Sequence, residues 1–143
     1  MSYLEKHGVP KVALNFINED HEEAARLTSE INLTITQIYT GESNKGLISP
    51  LLDRLLHHKR SHFDKEEASM LEAQFPGFPQ HKQEHNRLIH ELNSLINHWS
   101  LYQDIHSLKT YMNEIFPLWL KTHTVTMDHA VAAFISPNKR NGY

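Results

Sequence analysis

Apolar side chains recur along the chain at three- and four-residue steps, a spacing typical of amphipathic helices packed around a core. In the first such pattern, for example, Ile17, Ala24 and Ile31 share one face, and Ile115 falls on the inward face of the fourth. No alternating pattern of the kind that predicts a strand competes with this periodicity. Four helices are predicted, at about residues 16–39, 47–73, 80–101 and 107–133.

Turn-forming residues separate the four patterns. Gly41 and Gly46 bound a polar break after the first pattern, and Pro76 and Pro79 end the second because proline cannot continue a helix interior. Helices joined by short connections fold most simply as an up-down-up-down antiparallel four-helix bundle. We therefore predict an all-α protein with an N-terminal arm at 1–15, a bundle at 16–134 and a flexible C-terminal tail at 135–143.

Composition narrows the classes of function. The 143-residue chain has no cysteine, which excludes disulfides, thiolate-held iron–sulfur clusters and covalent haem attachment. Its formal net charge of −3, without a long basic stripe, argues against a nucleic-acid partner. No secretory leader pattern and no apolar run of membrane-spanning length is present, so no membrane partner and a cytoplasmic location are expected.

Histidine is unusually frequent, with 12 in the chain. Several histidines fall on the apolar stripes together with carboxylates, where they would face the core. Residues four apart project from the same face of a helix, and the five-residue step to Asp128 is expected to swing that carboxylate slightly sideways, across two metals. The inward polar residues are His21 on the first pattern, His62 and Glu66 on the second, His81 and His85 on the third, and His123 and Asp128 on the fourth.

A metal site explains this set better than packing does. A lone core histidine is more often a hydrogen-bonded packing residue than a ligand. Burying five imidazoles and two carboxylates without a partner, however, costs several kcal/mol per charged group, and a bound cation removes that cost. The seven candidate ligands exceed the number that a tetrahedral zinc site uses. Imidazole with carboxylate favours iron, with zinc, copper or manganese as alternatives.

The segments that carry these residues resemble the hemerythrins, specifically the single-domain bacterial type. The resemblance extends over about residues 17–129, with the motifs in the family order. The matching segments are residues 17–21, residues 62–67 with Met70, Phe75-Pro76 followed by His81 and His85, and Trp119-Leu120 followed by His123 and Asp128.

The resemblance implies two non-haem iron ions as the cofactor, bridged by Glu66, Asp128 and an oxo or hydroxo group. Such a ligand set leaves one coordination position open on two octahedral metals, where dioxygen could bind. By the resemblance, one iron would be held by His81, His85 and His123, and the iron with the open position by His21 and His62.

Residues next to the ligands are implied to form the oxygen pocket. Phe63, Trp119 and Leu120 would cover it, and Thr124 stands where the family usually has isoleucine. A hydroxyl there could stabilise the bound ligand or admit water, and we predict faster autoxidation than in a Thr124→Ile variant. Two further residues are given structural roles: Asp20 is expected to cap its helix or face solvent, and His58 to be a partly exposed structural residue.

The implied function is reversible dioxygen binding without a catalytic residue, for storage, transport or delivery to an oxygen-consuming enzyme. One alternative is a di-iron redox or stress protein acting on nitric oxide or peroxide. Another is an oxygen sensor that works through a separate partner. A third is a metal-free helical interaction protein, in which chelation would leave stability unchanged. The sequence carries no sign of the oligomeric state.

Overall fold

Four long helices account for nearly all of the chain that the computed structural model describes, which is residues 15–140, with side chains described for 15–135. Within these residues no strand occurs, and the all-α four-helix prediction is confirmed. No helix in the described range is both long and apolar enough to cross a membrane. Helix α1 is Asn15–Tyr39, α2 is Ile48–Glu72, α3 is Phe78–Tyr102, and α4 comprises residues 105–140.

Consecutive helices pack along one another: α1 packs on α2 and α2 on α3, and the first part of α4 contacts both α1 and α3. The connections are short and locally stabilised. Gly41, at φ +79°, adopts the left-handed backbone that follows α1. The Asp104 carboxylate accepts a hydrogen bond from the Ser107 backbone N–H and caps the start of α4. Short connections between neighbouring helices give the predicted antiparallel bundle.

Helix α4 is not a regular α-helix, which the sequence did not predict. Two π-helical turns interrupt it, at Tyr111–Ile115 and Thr124–Asp128. In the second, the His129 N–H donates to the Thr124 carbonyl five residues earlier, instead of four. Each π turn therefore inserts one extra residue into the helix.

The first π turn changes which residues of α4 face the core. Pro117, which has no N–H to donate, is the second residue after this turn. Ile115, expected on the inward stripe, is 47% exposed, whereas Phe116 is buried. The expectation for Ile115 was wrong because a regular period was assumed across the turn.

The ends of the bundle differ from the predicted boundaries. Helix α4 continues to Arg140, so part of the predicted tail is helical. Helix α3 begins at Phe78, because Pro79 is accommodated in its first turn, where no N–H donor is needed. Residues 1–14 of the predicted arm and residues 141–143 of the tail lie outside the described residues.

The apolar core is divided into two clusters by a layer of polar side chains. The larger cluster includes Leu52, Leu88 and Trp99. The smaller cluster is formed by Ile17, Met70, Val131, Ala132 and Ile135. On α1 and α4 the predicted metal ligands lie in sequence between residues of the two clusters, and on α2 they lie between Leu55 of the larger cluster and Met70 of the smaller.

Candidate metal centre

The seven side chains predicted as ligands meet in the polar layer, and none is more than 4% exposed. They form two groups in which each residue offers one ligand atom within 4.8 Å of the others. Asp128 belongs to both groups. The larger group is Glu66, His81, His85, His123 and Asp128, and the smaller is His21, His62 and Asp128.

In the larger group, the imidazole Nε2 atoms converge on carboxylate oxygens. The distance from His81 Nε2 to Glu66 Oε1 is 2.5 Å, and that from His85 Nε2 to the same oxygen is 3.4 Å. His123 Nε2 lies 2.9 Å from Asp128 Oδ1. Three nitrogens and two oxygens thus surround one small volume.

The second oxygen of each carboxylate faces the smaller group. Asp128 Oδ2 is 2.9 Å from His21 Nε2, and Glu66 Oε2 is 3.3 Å from His62 Nε2. Each carboxylate therefore directs one oxygen to each group of histidines.

Helix geometry explains these positions. On α2, His62 and Glu66 are four residues apart, and so are His81 and His85 on α3, so each pair shares a face. On α4, the π turn Thr124–Asp128 closes after five residues, which places Asp128 in register with His123. The prediction that Asp128 swings sideways assumed a regular α-helix. That assumption was wrong, because the helix itself widens at this point.

Asp20 orients one of the ligands, which corrects the prediction that it faces solvent or caps α1. The His62 Nδ1 donates to Asp20 Oδ2 at 2.8 Å, and Lys65 Nζ donates to the other carboxylate oxygen at 3.0 Å. Because Nδ1 carries the proton, Nε2 is left as an acceptor for a metal. His58 Nε2 is 2.9 Å from the Asp20 carbonyl oxygen and the ring is half-buried, in agreement with its predicted structural role.

Glu67 has the same relation to His85. The His85 Nδ1 lies 2.8 Å from Glu67 Oε2, and Lys82 Nζ donates to Glu67 Oε1 at 2.7 Å. Each of these two imidazoles is thus held by a carboxylate that is itself paired with a lysine. Hydrogen bonds of this kind fix the tautomer and ring orientation of metal-binding histidines.

Close contacts with histidine keep both central carboxylates ionised. Burial and the neighbouring Asp128 raise the pKa of Glu66, but its polar contacts with His62, His81 and His85 outweigh them and the pKa is about 2. The pKa of Asp128 is also lowered, because contacts with His123 and His21 outweigh its burial. Burial lowers the pKa of His81, but bonds to the two carboxylates raise it to about 9. Without a metal, a proton on His81 partly balances the charge.

Several buried ligand atoms lack a well-oriented hydrogen bond within the described part of the chain. They are His62 Nε2, His85 Nε2, both Glu66 carboxylate oxygens and Asp128 Oδ1. Such atoms are costly in an interior, and here they lie side by side. Imidazole nitrogens and carboxylate oxygens without thiolate form a donor set that iron accepts, so these residues fit an iron site.

The residues predicted to form the oxygen pocket are all buried, and two of them contact ligand rings. The Phe63 ring stacks on His85 with centroids 3.8 Å apart, and the Trp119 ring stacks on His123 with centroids 4.5 Å apart. Leu120 lies in the larger apolar cluster, and Thr124 is fully buried. Their role toward a ligand stays a prediction.

Sequence reasoning missed Lys59, whose side chain is only 1% exposed. Its Nζ lies 5.1 Å from the centroid of the Phe63 ring and 5.8 Å from that of the Trp119 ring. A signal was present, because Lys59 follows Leu55 by four residues and precedes His62 by three, which places it on the inward stripe of α2.

Comparison with known proteins identifies a similarity over most of the chain. The chain is 28% identical over 124 residues to a protein named bacteriohemerythrin from Aquifex aeolicus (strain VF5). The similar region covers 87% of this chain and 91% of that protein. No protein-family model matches the chain, and no solved structure matches it. The chain is thus similar to a bacteriohemerythrin over most of its length, and its buried cluster of histidines and carboxylates is consistent with an iron site.

Proposed function

We propose that this chain is a hemerythrin-family protein that binds dioxygen reversibly at a non-haem di-iron centre, and that it serves in oxygen storage, transport or delivery in the cytoplasm. The observation that carries the proposal is the position of Glu66 and Asp128 between the two ligand groups. Each carboxylate has one oxygen toward each group, as two bridges between two metal ions would require.

The ligands divide unequally between the two metal positions. His81, His85 and His123 would hold one iron, and His21 and His62 the other. With one imidazole fewer, the second iron would keep an open coordination position. Two reduced irons held by these residues would supply the two-electron chemistry that reversible dioxygen binding requires.

The protein would contribute orientation and exclusion of water. Asp20 and Glu67 hold the Nδ1 atoms of His62 and His85, so that the Nε2 atoms point into the site. Phe63 and Trp119 cover the ligand rings with apolar surface. A water-poor pocket disfavours loss of charged oxygen species and so favours reversibility.

The ligand set favours binding over oxygenase chemistry. Oxygen-activating di-iron bundles use more carboxylates, often in Glu-x-x-His pairs. Here imidazoles outnumber carboxylates by five to two, and neutral imidazole stabilises high-valent iron less well than carboxylate does. We therefore propose a binding protein and not an enzyme, with redox or stress chemistry on nitric oxide or peroxide as the alternative.

To test the proposal, the protein is purified anaerobically and its iron content is measured. Visible spectra are then recorded during cycles of oxygen and argon. We expect two irons per chain and a charge-transfer absorption that appears with oxygen and fades under argon. Irreversible conversion to a ferric spectrum would favour redox chemistry as the function, and an intact fold without iron would overturn the proposed iron site.

Two histidine variants of α4 test the ligand assignment. His123→Gln should lose iron, whereas His129→Gln, which changes an exposed histidine in the next turn, should bind as much iron as the parent.

A further inference from the structure

A groove with a volume of about 630 Å³ lies between α3 and the middle of α4. Helix α3 contacts α4 near its start, at Ile105–Thr110, and the groove lies beyond this contact, at residues 114–127 of α4. Trp119 and His123 line its floor, since both are nearly buried. The Trp119 indole N–H donates to Glu84 at 2.8 Å, which joins the floor to α3. The groove is therefore built from two helices and closed at its base.

The wall that α4 contributes exposes large apolar side chains. Leu118 is 65% exposed and Ile115 is 47% exposed, and both line the groove. Because they are three residues apart on a helix, they share a face. Ile115 reaches this face because the π turn Tyr111–Ile115 adds one residue, and such turns are frequent at functional sites. The π turn thus gives the groove an apolar surface that a regular helix would turn toward the core.

Carboxylates outnumber cations among the described residues that line the groove. Glu84 and Glu91 on α3 and Glu114 on α4 are the carboxylates, and Arg87 is the cationic side chain. Arg87 lies 2.6 Å from Glu84 and 3.2 Å from Glu91, whereas Glu114 is exposed on the opposite wall. Three negative charges and one positive charge leave an excess of two negative charges at neutral pH. The groove therefore attracts a cationic surface.

The apolar wall and the negative rim together select among possible occupants. A small-molecule site buries most of its ligand, but a wall as exposed as Leu118 would leave one side of a ligand in water. A second copy of this chain, bound about a two-fold axis, would bring the same carboxylates together, which like charge disfavours. An amphipathic helix that carries lysine or arginine beside its apolar face matches both the wall and the charge.

We propose that this groove is a docking site for a basic amphipathic helix of another protein. The apolar side chains of that helix would contact Ile115, Leu118 and Trp119, and its cationic side chains would lie beside Glu91 and Glu114. The inference goes beyond the proposed function and does not rest on it, because no metal ion takes part in the contact. Loss of the apolar wall should weaken binding more than loss of one carboxylate, because a charge at the rim of an interface contributes mainly to the rate of association.

The test uses the full chain as purified and a fluorescein-labelled synthetic peptide of about four helical turns, with leucine on one face and lysine on its flanks. Fluorescence anisotropy measures the dissociation constant. We expect the double variant Ile115→Gln with Leu118→Gln to weaken binding at least about tenfold, because the apolar contact at the centre of the interface is lost. Both side chains are exposed, so these substitutions should leave the fold intact.

A second variant tests the charge. Glu114→Gln should weaken peptide binding about threefold at low salt, because an exposed ion pair contributes little and is screened by ions. The matched controls are Leu71→Gln and Glu72→Gln, which change exposed residues of α2 that do not line the groove. Both controls should bind the peptide as tightly as the parent.

Several outcomes would overturn the inference. If the parent does not bind the peptide, or if the groove variants bind it as tightly as the parent, the groove is not the docking site. Equal binding of an analogue with glutamate in place of lysine would overturn the basic partner. If the parent sediments as a dimer and Leu118→Gln as a monomer, the groove is occupied by a second copy of this chain instead. Each measurement also applies to a protein without iron, so failure of the docking site and failure of the proposed function are distinguished.

Discussion

The placement of two ligand imidazoles, those of His62 and His85, depends on a carboxylate one contact further from the metal position. Asp20 reaches His62 from α1, and Glu67 reaches His85 from α2. Neither contact can be read from residue spacing within one helix, because each joins two helices and depends on how they are rotated against one another. The ligand residues could be predicted from the sequence since their four-residue spacing is local, whereas these supporting carboxylates could not.

Removal of the Asp20 carboxylate should weaken iron binding without removing any ligand. We expect Asp20→Ala to lower iron affinity roughly 10- to 100-fold, because His62 would lose the hydrogen bond that fixes its tautomer. Competition with a chelator of known affinity measures the change. Asp64→Ala removes an exposed carboxylate of α2 and is the control. Equal affinities of the two variants would mean that His62 is oriented by packing alone.

The same carboxylate gives a pH dependence whose sign follows from its pKa. Burial raises the pKa of Asp20, but hydrogen bonds from His62 and Lys65 lower it to about 2, against an ordinary value of 3.8. A lowered pKa in the folded state contributes stability above the ordinary pKa and loses it as the pH falls toward 2. In acid denaturation of the metal-free protein, the advantage of the parent over Asp20→Asn should therefore shrink below about pH 4.

Thr124 carries a buried hydroxyl for which no hydrogen-bond partner is found among the described residues. Other threonines of the bundle, such as Thr28, donate to the carbonyl four residues earlier. We expect the iron-loaded parent to autoxidise faster than Thr124→Ile, because an unsatisfied hydroxyl favours entry of water. Visible spectra recorded over time under oxygen give the autoxidation rates. The Thr124→Val variant separates the effect of the hydroxyl from that of side-chain volume. Equal rates in all three proteins would remove any role for this hydroxyl.

Helix α4 shows what periodicity alone misses at the scale of an element. The four helices and their inward faces could be predicted, because three- and four-residue steps define them. A π turn adds one residue without leaving a distinct hydrophobic signal, so Ile115 was assigned to the wrong face and the alignment of Asp128 with His123 was not foreseen. Both differences arise where the regular period of α4 is interrupted.

Two single-residue deletions in α4 should have opposite effects. Deletion of the exposed Val125 converts the π turn to a regular α-turn, in which His123 and Asp128 become four residues apart and still share a face. We expect this variant to keep its iron. Deletion of Lys121, also exposed but in regular helix, rotates both ligands away from the site and should abolish iron binding. Iron analysis after gel filtration distinguishes them, and loss of iron in both would show that the widened turn itself is required.

At the scale of the whole molecule, the polar layer separates the apolar core into unequal parts. The larger cluster contains residues from all four helices, whereas the smaller one depends on a few side chains such as Ile17, Met70 and Val131. Metal ions in the layer would connect the four helices between the two clusters. Stability of the bundle should therefore depend on metal occupancy.

Chelation of the metal should lower the melting temperature by at least about 5 °C. A ligand present at roughly one hundred times its dissociation constant stabilises the folded state by about 2.7 kcal/mol, which shifts the melting temperature of a domain this size by several degrees. Differential scanning calorimetry with and without chelator measures the shift. The His123→Gln variant should show none, and an unchanged parent would support a metal-free interaction protein.

The divided core also bears on how a metal can reach ligands that are all buried. Local opening costs least where few apolar side chains hold the chain together, and such openings occur without global unfolding. The smaller cluster fulfils this condition, and its Met70 lies one helical turn after Glu66 on α2. Transient separation of that end would therefore admit an ion while the larger cluster stays intact. In the metal-free protein, backbone amides near Met70 should accordingly exchange with deuterium sooner than those near Leu88.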